Sequence, residues 1–447
     1  MPTPVRPSTI RPVVTTGTTG TSTVGSTTPA TPATPTRGTT GTPTDFTGGT
    51  ATSVQAKLTT IRSLMAGHTD RGEEAQIIGL FKNASAGELN QIIGGMSRNE
   101  LHELTEDIDD RLIGPDNKTA FLSLLSHDRV GDLSVDSKVK LVQALQLGST
   151  DSLAEKTITA VFLSTKGEAL TALKNGIDGA GDHHDLQQLV FHDIDSKDLQ
   201  NQLLAHFKAQ ATPKDGKVKV LSDIDDTFYV NWKDDRFPKK TIYPGVRALY
   251  AELDKGPNAQ APDRTGDLMF LSARPYDRAG ASEHFTREMM HDAGVTQATV
   301  LSGDFAHLIG NQSIADKKFD NWQQVNQLYP EYGSVFLGDS GQGDAIFGAH
   351  AAATQGGDMR SVFIHNVTHL NDAEKADFAK KNVFIFDTYV GAATEAFKRG
   401  LISKPGLERV VGAAKQEFAG IAFSDPAQKA ARQAELDRDV AAARALL

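Results

Sequence analysis

The run Asp223-Ile224-Asp225-Asp226-Thr227 follows three apolar residues, Val218, Val220 and Leu221. Two carboxylates therefore emerge two residues apart, where a buried strand turns into a loop. In an open α/β sheet such a point is where ligands bind. A carboxylate there can act as a nucleophile and split a slow hydrolysis into two easier steps. A second carboxylate on the same side can protonate a leaving oxygen and then activate water. Phosphate esters are among the slowest bonds to hydrolyse, so they are the substrates for which such a pair matters most.

Three further stations follow in order. Ser272 comes directly after Leu268-Met269-Phe270-Leu271, and a hydroxyl at a strand end can donate to a phosphoryl oxygen. Arg274, in the following Ala273-Arg274-Pro275, could clamp phosphate with two parallel hydrogen bonds or serve as a structural ion pair. Lys317 and Lys318 stand side by side, ahead of a helix with the apolar stripe Trp322, Val325 and Leu328 and a stop at Pro330. Last comes Gly338-Asp339-Ser340-Gly341-Gln342-Gly343-Asp344, after the strand-like Ser334 to Leu337.

Crowding argues for a cation. Two carboxylates ~4 Å apart repel by about 4 kcal/mol at an effective dielectric of about 20. Three of them facing a phosphate dianion cannot all stay ionised without a counter-charge. Magnesium suits the case, because it takes oxygen ligands from one or two carboxylates and keeps several waters.

Similar-looking pieces elsewhere are read differently. Asp107-Ile108-Asp109-Asp110 and Asp193-Ile194-Asp195 lack both the preceding β-type run and the threonine, so they are expected to be helix faces or caps. Gly338-Asp339-Ser340-Gly341 also looks like a serine-protease signature, but the all-β context and histidine of that chemistry are missing. His183, His184 and His192 lie in a polar helical segment and are expected at the surface.

The four stations together resemble the haloacid dehalogenase superfamily. Within it, residues 216–402 resemble the phosphatidate phosphatase catalytic domain first associated with actin patches. The matching text is Ser222-Asp223-Ile224-Asp225-Asp226-Thr227, Tyr243-Pro244-Gly245-Val246, Leu271-Ser272-Ala273-Arg274-Pro275, Gly338-Asp339-Ser340-Gly341-Gln342 and Phe386-Asp387-Thr388-Tyr389-Val390-Gly391-Ala392-Ala393. The resemblance implies Mg-dependent hydrolysis of phosphatidate to diacylglycerol and phosphate. It makes Asp223 the nucleophile and Asp225 the acid and base, and brings Ser272 and Lys318, rather than Lys317, to the phosphoryl group. It assigns Asp223, Asp339, the Asp225 backbone carbonyl and Asp344 to the metal site, Asp344 as a ligand or as the group that orients Lys318 or a metal-bound water. Thr227 would fix the loop or meet the substrate, together with Arg274. Two departures touch the substrate: the fourth station ends Gln342-Gly343-Asp344-Ala345, and the N-terminal half differs from that of eukaryotic members.

The elements that must position these groups are legible as a rhythm. From Val218 onward, β-type runs (Val218 to Leu221, Leu268 to Leu271, Thr299 to Leu301, Val335 to Leu337, Val362 to Ile364, Val383 to Phe386) alternate with helical stretches, as in a parallel α/β sheet. The expected fold is thus a Rossmann-like haloacid dehalogenase domain over 215–405, after the punctuation Lys214-Asp215-Gly216, with a minimal cap. The stretch 228–271 leaves room only for a flap and the helix Pro244 to Leu253. That flap mixes Phe228, Tyr229, Trp232 and Phe237 with Lys233, Arg236, Lys239 and Lys240, which suits either a membrane interface or packing on its own core.

Residues 53–210 are expected to form an all-helical domain. Its stripes are Ile77, Ile78, Leu80 and Phe81, then Leu89, Ile92, Ile93 and Met96, then Leu101, Leu104 and Ile108. A weak two-fold repeat relates Glu74, Ile77, Phe81 and Leu89 to Glu155, Ile158, Phe162 and Leu170, and Ile108-Asp109 to Ile194-Asp195. Residues 1–52 are Thr, Pro and Gly with Arg6, Arg11, Arg37 and Asp45 as the charges, a composition expected to be disordered. A C-terminal helical tail over 406–447 includes a helix opened by Asp425-Pro426.

Composition excludes other classes. The chain has 447 residues and no cysteine, which removes disulfides, thiolate metal sites and cysteine phosphatases. The net charge is −10 with no basic block, so no nucleic-acid partner is expected. No apolar run approaches the roughly 20 residues of a membrane helix. The expected partner is a phosphate ester, a lipid at a membrane surface, with the helical domain free to dock a protein. A protein, inositol or small phosphomonoester is the competing substrate class, and a scaffold with a silent phosphatase fold the competing role. The expected location is cytoplasmic and membrane-peripheral, with a leader that also fits an exported effector.

Overall fold

Six apolar runs become six parallel strands: β1 (Val218–Ser222), β2 (Leu268–Pro275), β3 (Ala298–Gly303), β4 (Gly333–Asp339), β5 (Met359–His365) and β6 (Val383–Phe386). The computed structural model describes residues 47–108, 116–179, 183–211, 217–257, 268–275, 288–295, 298–303, 310–355 and 358–447. Residues 1–46, Asp109-Asp110 and Lys214-Asp215-Gly216 lie outside this set, and so do the expectations placed on them. The strands lie in the order β3-β2-β1-β4-β5-β6, and every neighbouring pair is parallel. Strands this apolar must be covered on both faces. Side chains alternate accordingly. Val220, Val335 and Leu337 join one core, while Leu221 and Phe336 join the other.

The sheet's order reverses between β1 and β4, so their carboxyl ends flank a crevice of the kind in which ligands bind. The Asp223 N–H donates to the Leu337 carbonyl at 2.9 Å, which locks the Asp223 loop to β4 as it leaves β1. Ser272 was expected just past a strand. Instead β2 continues through Ser272 and Arg274 to Pro275, with a register break between Leu271 and Pro275.

One face of the sheet is covered by the helices Val246–Lys255, Tyr389–Lys398, Lys404–Ala419 and Pro426–Arg444. Asp425 caps the last of these and Pro426 occupies its first turn. On the other face lie Asn311–Leu328 and Asp344–Ala353.

The N-terminal half is helical from Thr47 to Gln210. Its early helices begin at capping boxes, Asp70 with Glu73, Ser85 with Glu88 and Ser97 with Glu100, each satisfying two otherwise orphaned N–H groups. Ile77, Phe81, Leu89, Ile92, Ile93, Leu101 and Leu104 are buried. Phe81 meets Phe121 edge-on, and Phe162 meets Phe207 likewise. Glu74 and Glu155 are both buried acceptors, from Asn117 Nδ2 and the Asp195 N–H.

These helices and the sheet belong to one compact unit, Gly48–Leu447, with a continuous core. A polar seam joins them. Lys174 Nζ meets Glu331 at 2.7 Å and donates to the Leu328 carbonyl. Asn175 Nδ2 donates to Tyr332 Oη, and Lys219 Nζ donates to Asn175 Oδ1. Tyr329 Oη donates to Asp178 Oδ2 at 2.5 Å. Burial pulls Lys174 down to about 8 in spite of Glu331. Such a buried pair contributes little net stability, but breaking it costs about 3–5 kcal/mol, so the seam fixes one docking geometry. Helix Asn311–Leu328 is thereby clamped between the helical half and the sheet.

Candidate active site

At the β1–β4 crevice, Asp223, Asp339 and Asp344 each offer a carboxylate oxygen within 4.8 Å of the others. All three are buried, at 3%, 0% and 0% exposure. Asp223 is delivered by β1, Asp339 ends β4, and Asp344 opens the helix Asp344–Ala353. Among the described residues this is the one group of three or more His, Cys, Asp or Glu placed to hold a metal ion.

Among the described residues, one cation lies between them. Lys318 Nζ donates to Asp223 Oδ1 at 2.7 Å and also to Asp344 Oδ1. Burial opposes its charge, yet Asp223 and Asp344 hold it above the ordinary lysine value. Lys317, one residue earlier and 100° round the helix, is half-exposed and takes no part. The carboxylates remain in excess. Burial, with Asp344 and Asp225 nearby, pushes Asp223 up to about 8 against the pull of Lys318. Burial, then Asp344 and Asp223, raise Asp339 well above the usual carboxylate range.

The division of labour is visible in which oxygens have partners. Asp344 uses Oδ1 on Lys318 and Oδ2 on the Asp339 N–H, at 3.1 Å. Asp339 Oδ1 accepts from the Gly341 N–H at 2.6 Å. Asp223 Oδ2 and Asp339 Oδ2 are buried and have no hydrogen-bond partner. Two unsatisfied buried carboxylate oxygens are costly unless something else meets them. A hard divalent cation fits this donor set.

Close backbone approach sets the loop. A Cβ on Gly343 would lie 2.3 Å from the Asn311 carbonyl and 2.8 Å from the Ala315 nitrogen. Gly343 thus lets the Asp344 loop pack against the first turns of the Lys318 helix. Gly343→Ala is expected to lower stability by about 1–3 kcal/mol through overpacking. It should also reduce turnover by about 10²-fold by shifting Lys318. Urea denaturation and turnover measured on the same preparation check both.

Asp225 is half-exposed, and its Oδ1 accepts from Tyr229 Oη at 2.9 Å and Asn231 Nδ2 at 2.8 Å. Asp226, which the motif reading left without a role, is the hub of the flap. It sits at φ +59° and is fully buried. Its carboxylate accepts from the N–H groups of Asn231, Trp232 and Lys233. Of the two roles expected of Thr227, fixing the loop is not the one its side chain takes. Its hydroxyl oxygen is buried without a partner, so it does not tie the loop. Tyr389 does that instead, donating its hydroxyl to the Thr227 carbonyl. Ser272 and Arg274 lie on β2, beside β1, with their side chains outside the described set.

The flap's basic and aromatic residues divide. Phe228 and Tyr229 are core residues. Arg236 is buried on Asp234, with Nε at 2.9 Å and Nη2 at 2.8 Å, and Tyr243 Oη donates to the same carboxylate at 2.7 Å. Burial alone would raise Asp234, but the Arg236 bonds bring it down to about 2. Burial, then Arg236, lowers His365 to about 3, so this histidine is neutral. Its Nε2 accepts from Arg236 Nη2 at 2.9 Å, which assigns the Nδ1 proton to the bond with the Asp226 carbonyl at 3.2 Å. Sequence spacing could not find these supports, because Arg236, His365 and Tyr389 come from three separate stretches of chain.

Residues 218–366 match the family described as phosphatidate phosphatase APP1, catalytic domain. That family is a phosphatidate phosphatase, a phosphoric monoester hydrolase. The match bears out the resemblance over a stretch that holds all four stations and stops short of Phe386 to Ala393. No curated protein and no solved structure matches the chain. No helix among the described residues is long and apolar enough to cross a membrane.

Proposed function

We propose that this protein hydrolyses phosphatidate to diacylglycerol and phosphate on a haloacid dehalogenase-type fold, through an aspartyl-phosphate on Asp223. The observation that carries the reading is the unpartnered Asp223 Oδ2, buried at the switch point of the sheet while Lys318 holds Oδ1. That oxygen attacks phosphorus, and the bond to the lipid oxygen breaks as Asp225 supplies its proton. Asp225 then takes a proton from water, whose oxygen attacks the acyl phosphate and releases phosphate with Asp223 restored. Tyr229 and Asn231 hold Asp225 in place for both transfers. Lys318 offsets charge on the phosphoryl oxygens, and Ser272, Arg274 and the buried hydroxyl of Thr227 are assigned to the same group.

Asp223 and Asp339 would hold a magnesium ion, which would neutralise the carboxylate crowd and the phosphoryl charge. Asp344 is then the residue that orients Lys318. In this reading the phosphatase domain runs over 215–405 with the tail 406–447 packed on it. The helical half over 53–210 braces the Lys318 helix and leaves its outer surface to a protein partner. The enzyme works at a membrane surface without crossing it.

Phosphate release from phosphatidate in mixed micelles, beside p-nitrophenyl phosphate, with magnesium or with chelator, tests this. Magnesium-dependent release from phosphatidate is the expected result. Release from the small ester alone would keep the chemistry and move the substrate to another phosphomonoester. Release from neither would remove the enzyme reading.

A further inference from the structure

Trp232 is the most exposed large hydrophobic side chain among the described residues, at 69%. It is not on a loose tip. Its N–H donates to both oxygens of Asp226, at 3.1 and 3.0 Å, so the motif that carries the nucleophile also fixes the tryptophan. Lys239 Nζ donates to the Trp232 carbonyl at 3.2 Å, and Gln428 Nε2 donates to the Asp235 carbonyl at 2.5 Å. The buried Arg236–Asp234–Tyr243 bonds secure the base of the flap. The segment also sits at the mouth of the site. Asn231 bonds Asp225, and a Cβ on Gly341 would meet Lys233 Cγ at 2.9 Å and Asp339 Oδ1 at 3.0 Å.

The exposed lysines Lys233, Lys239 and Lys240 lie on the same segment, with Lys239 Nζ on the Trp232 and Asp234 carbonyls and Lys240 Nζ on Asn231 Oδ1. Asp235 is the exposed acid on the same segment, and His369 Nε2 lies 3.8 Å from it. The chain as a whole carries −10, so this local excess of positive charge runs against the background. A single projecting indole on a lysine-bearing segment is too small for a stable protein interface, which buries about 1,000 Å² or more. It has the composition of an interfacial anchor, with an amphipathic ring at the headgroup level and ammonium groups on anionic headgroups.

We infer that Trp232, with Lys233, Lys239 and Lys240, docks the mouth of the active site on an anionic lipid surface. This rests on the phosphatidate reading for its purpose but not for its chemistry. Docking there would bring a phosphate monoester in the headgroup layer to Asp223 while the acyl chains stay in the bilayer.

The chain's two tryptophans make the test direct, because Trp322 is 1% exposed and already buried. The intact protein is mixed with phosphatidylcholine vesicles, with and without phosphatidylglycerol, which is not a phosphate monoester. Expected are a blue shift of tryptophan emission and protection from acrylamide on the anionic vesicles, both reversed by high salt. Trp232→Ala should lose the shift and bind about tenfold more weakly in flotation. Lys239→Glu should bind at least about fivefold more weakly. Unchanged emission on anionic vesicles overturns the inference, as does Trp232→Ala binding as well as the native protein. Emission that responds only to an added protein would overturn it too. Partition is read without turnover. Binding without phosphate release keeps this inference and removes the phosphatase reading, and release from micelles without a tryptophan response does the reverse.

Discussion

Asp223→Asn is expected to lower phosphate release by about 10⁴-fold or more, to the level of a site without a nucleophile. The protein should stay folded. Asparagine has the shape of aspartate, and its Oδ1 can still accept from Lys318. The native carboxylate is held up to about 8 by burial and by Asp344 and Asp225, so it is a source of repulsion in the fold rather than of stability. The sign is clear: a carboxyl whose folded value lies above its unfolded value weakens the fold at neutral pH, where the unfolded chain is ionised. The amide should therefore keep or raise the melting temperature of the metal-free protein. Loss of activity with unchanged or higher melting temperature identifies a catalytic rather than a supporting role. A variant retaining a tenth of native turnover would rule out the aspartyl-phosphate. Acid-quenched protein incubated with labelled substrate should carry the label in the native chain and not in Asp223→Asn.

Lys318→Met is expected to damage both fold and turnover. It removes the ammonium group from between Asp223 Oδ1 and Asp344 Oδ1, leaving three buried carboxylates with no cation among the described residues. Removing one partner of a buried ion pair costs about 3–5 kcal/mol. Urea denaturation in chelator should reveal a loss of that order. Magnesium should recover part of it, because a divalent cation relieves the same repulsion in the folded state alone. Turnover at saturating magnesium should remain at least about 10²-fold below native, since the positive charge on the phosphoryl group is still missing. Lys317→Met should change neither by a comparable amount. Equal effects at the two positions would contradict the assignment of Lys318.

How much of this was legible beforehand follows from the range of each interaction. The six strands, their parallel sense and the arrival of Asp223 and Asp339 at strand ends were all readable, because apolar runs and the turn into a loop are local properties. The capping boxes that open the early helices are local in the same way. Ser272 was misplaced by a strand end because the irregularity after Leu271 arises from pairing with β3, which the run Leu268 to Leu271 does not encode. The flap looked uniformly basic and aromatic. The fold divides it, since Arg236 is drawn in by Asp234 and His365 while Trp232 is left out.

The sequence by itself determined which groups can do the chemistry and that a parallel sheet would present them, since residue type, spacing and periodicity are carried by covalent neighbours. The resemblance favoured Lys318 over Lys317, but residue type and spacing did not separate the two. The tertiary structure puts Lys318 in the site and leaves Lys317 outside it, because one residue turns a helical side chain by 100°. It likewise decided that Asp344 orients while Asp223 and Asp339 keep an oxygen each unpartnered. It set Tyr389 on the Thr227 carbonyl and closed the seam from Lys174 to Glu331. Each of these depends on contacts between stretches of chain far apart in sequence, and distance along the chain carries no trace of them.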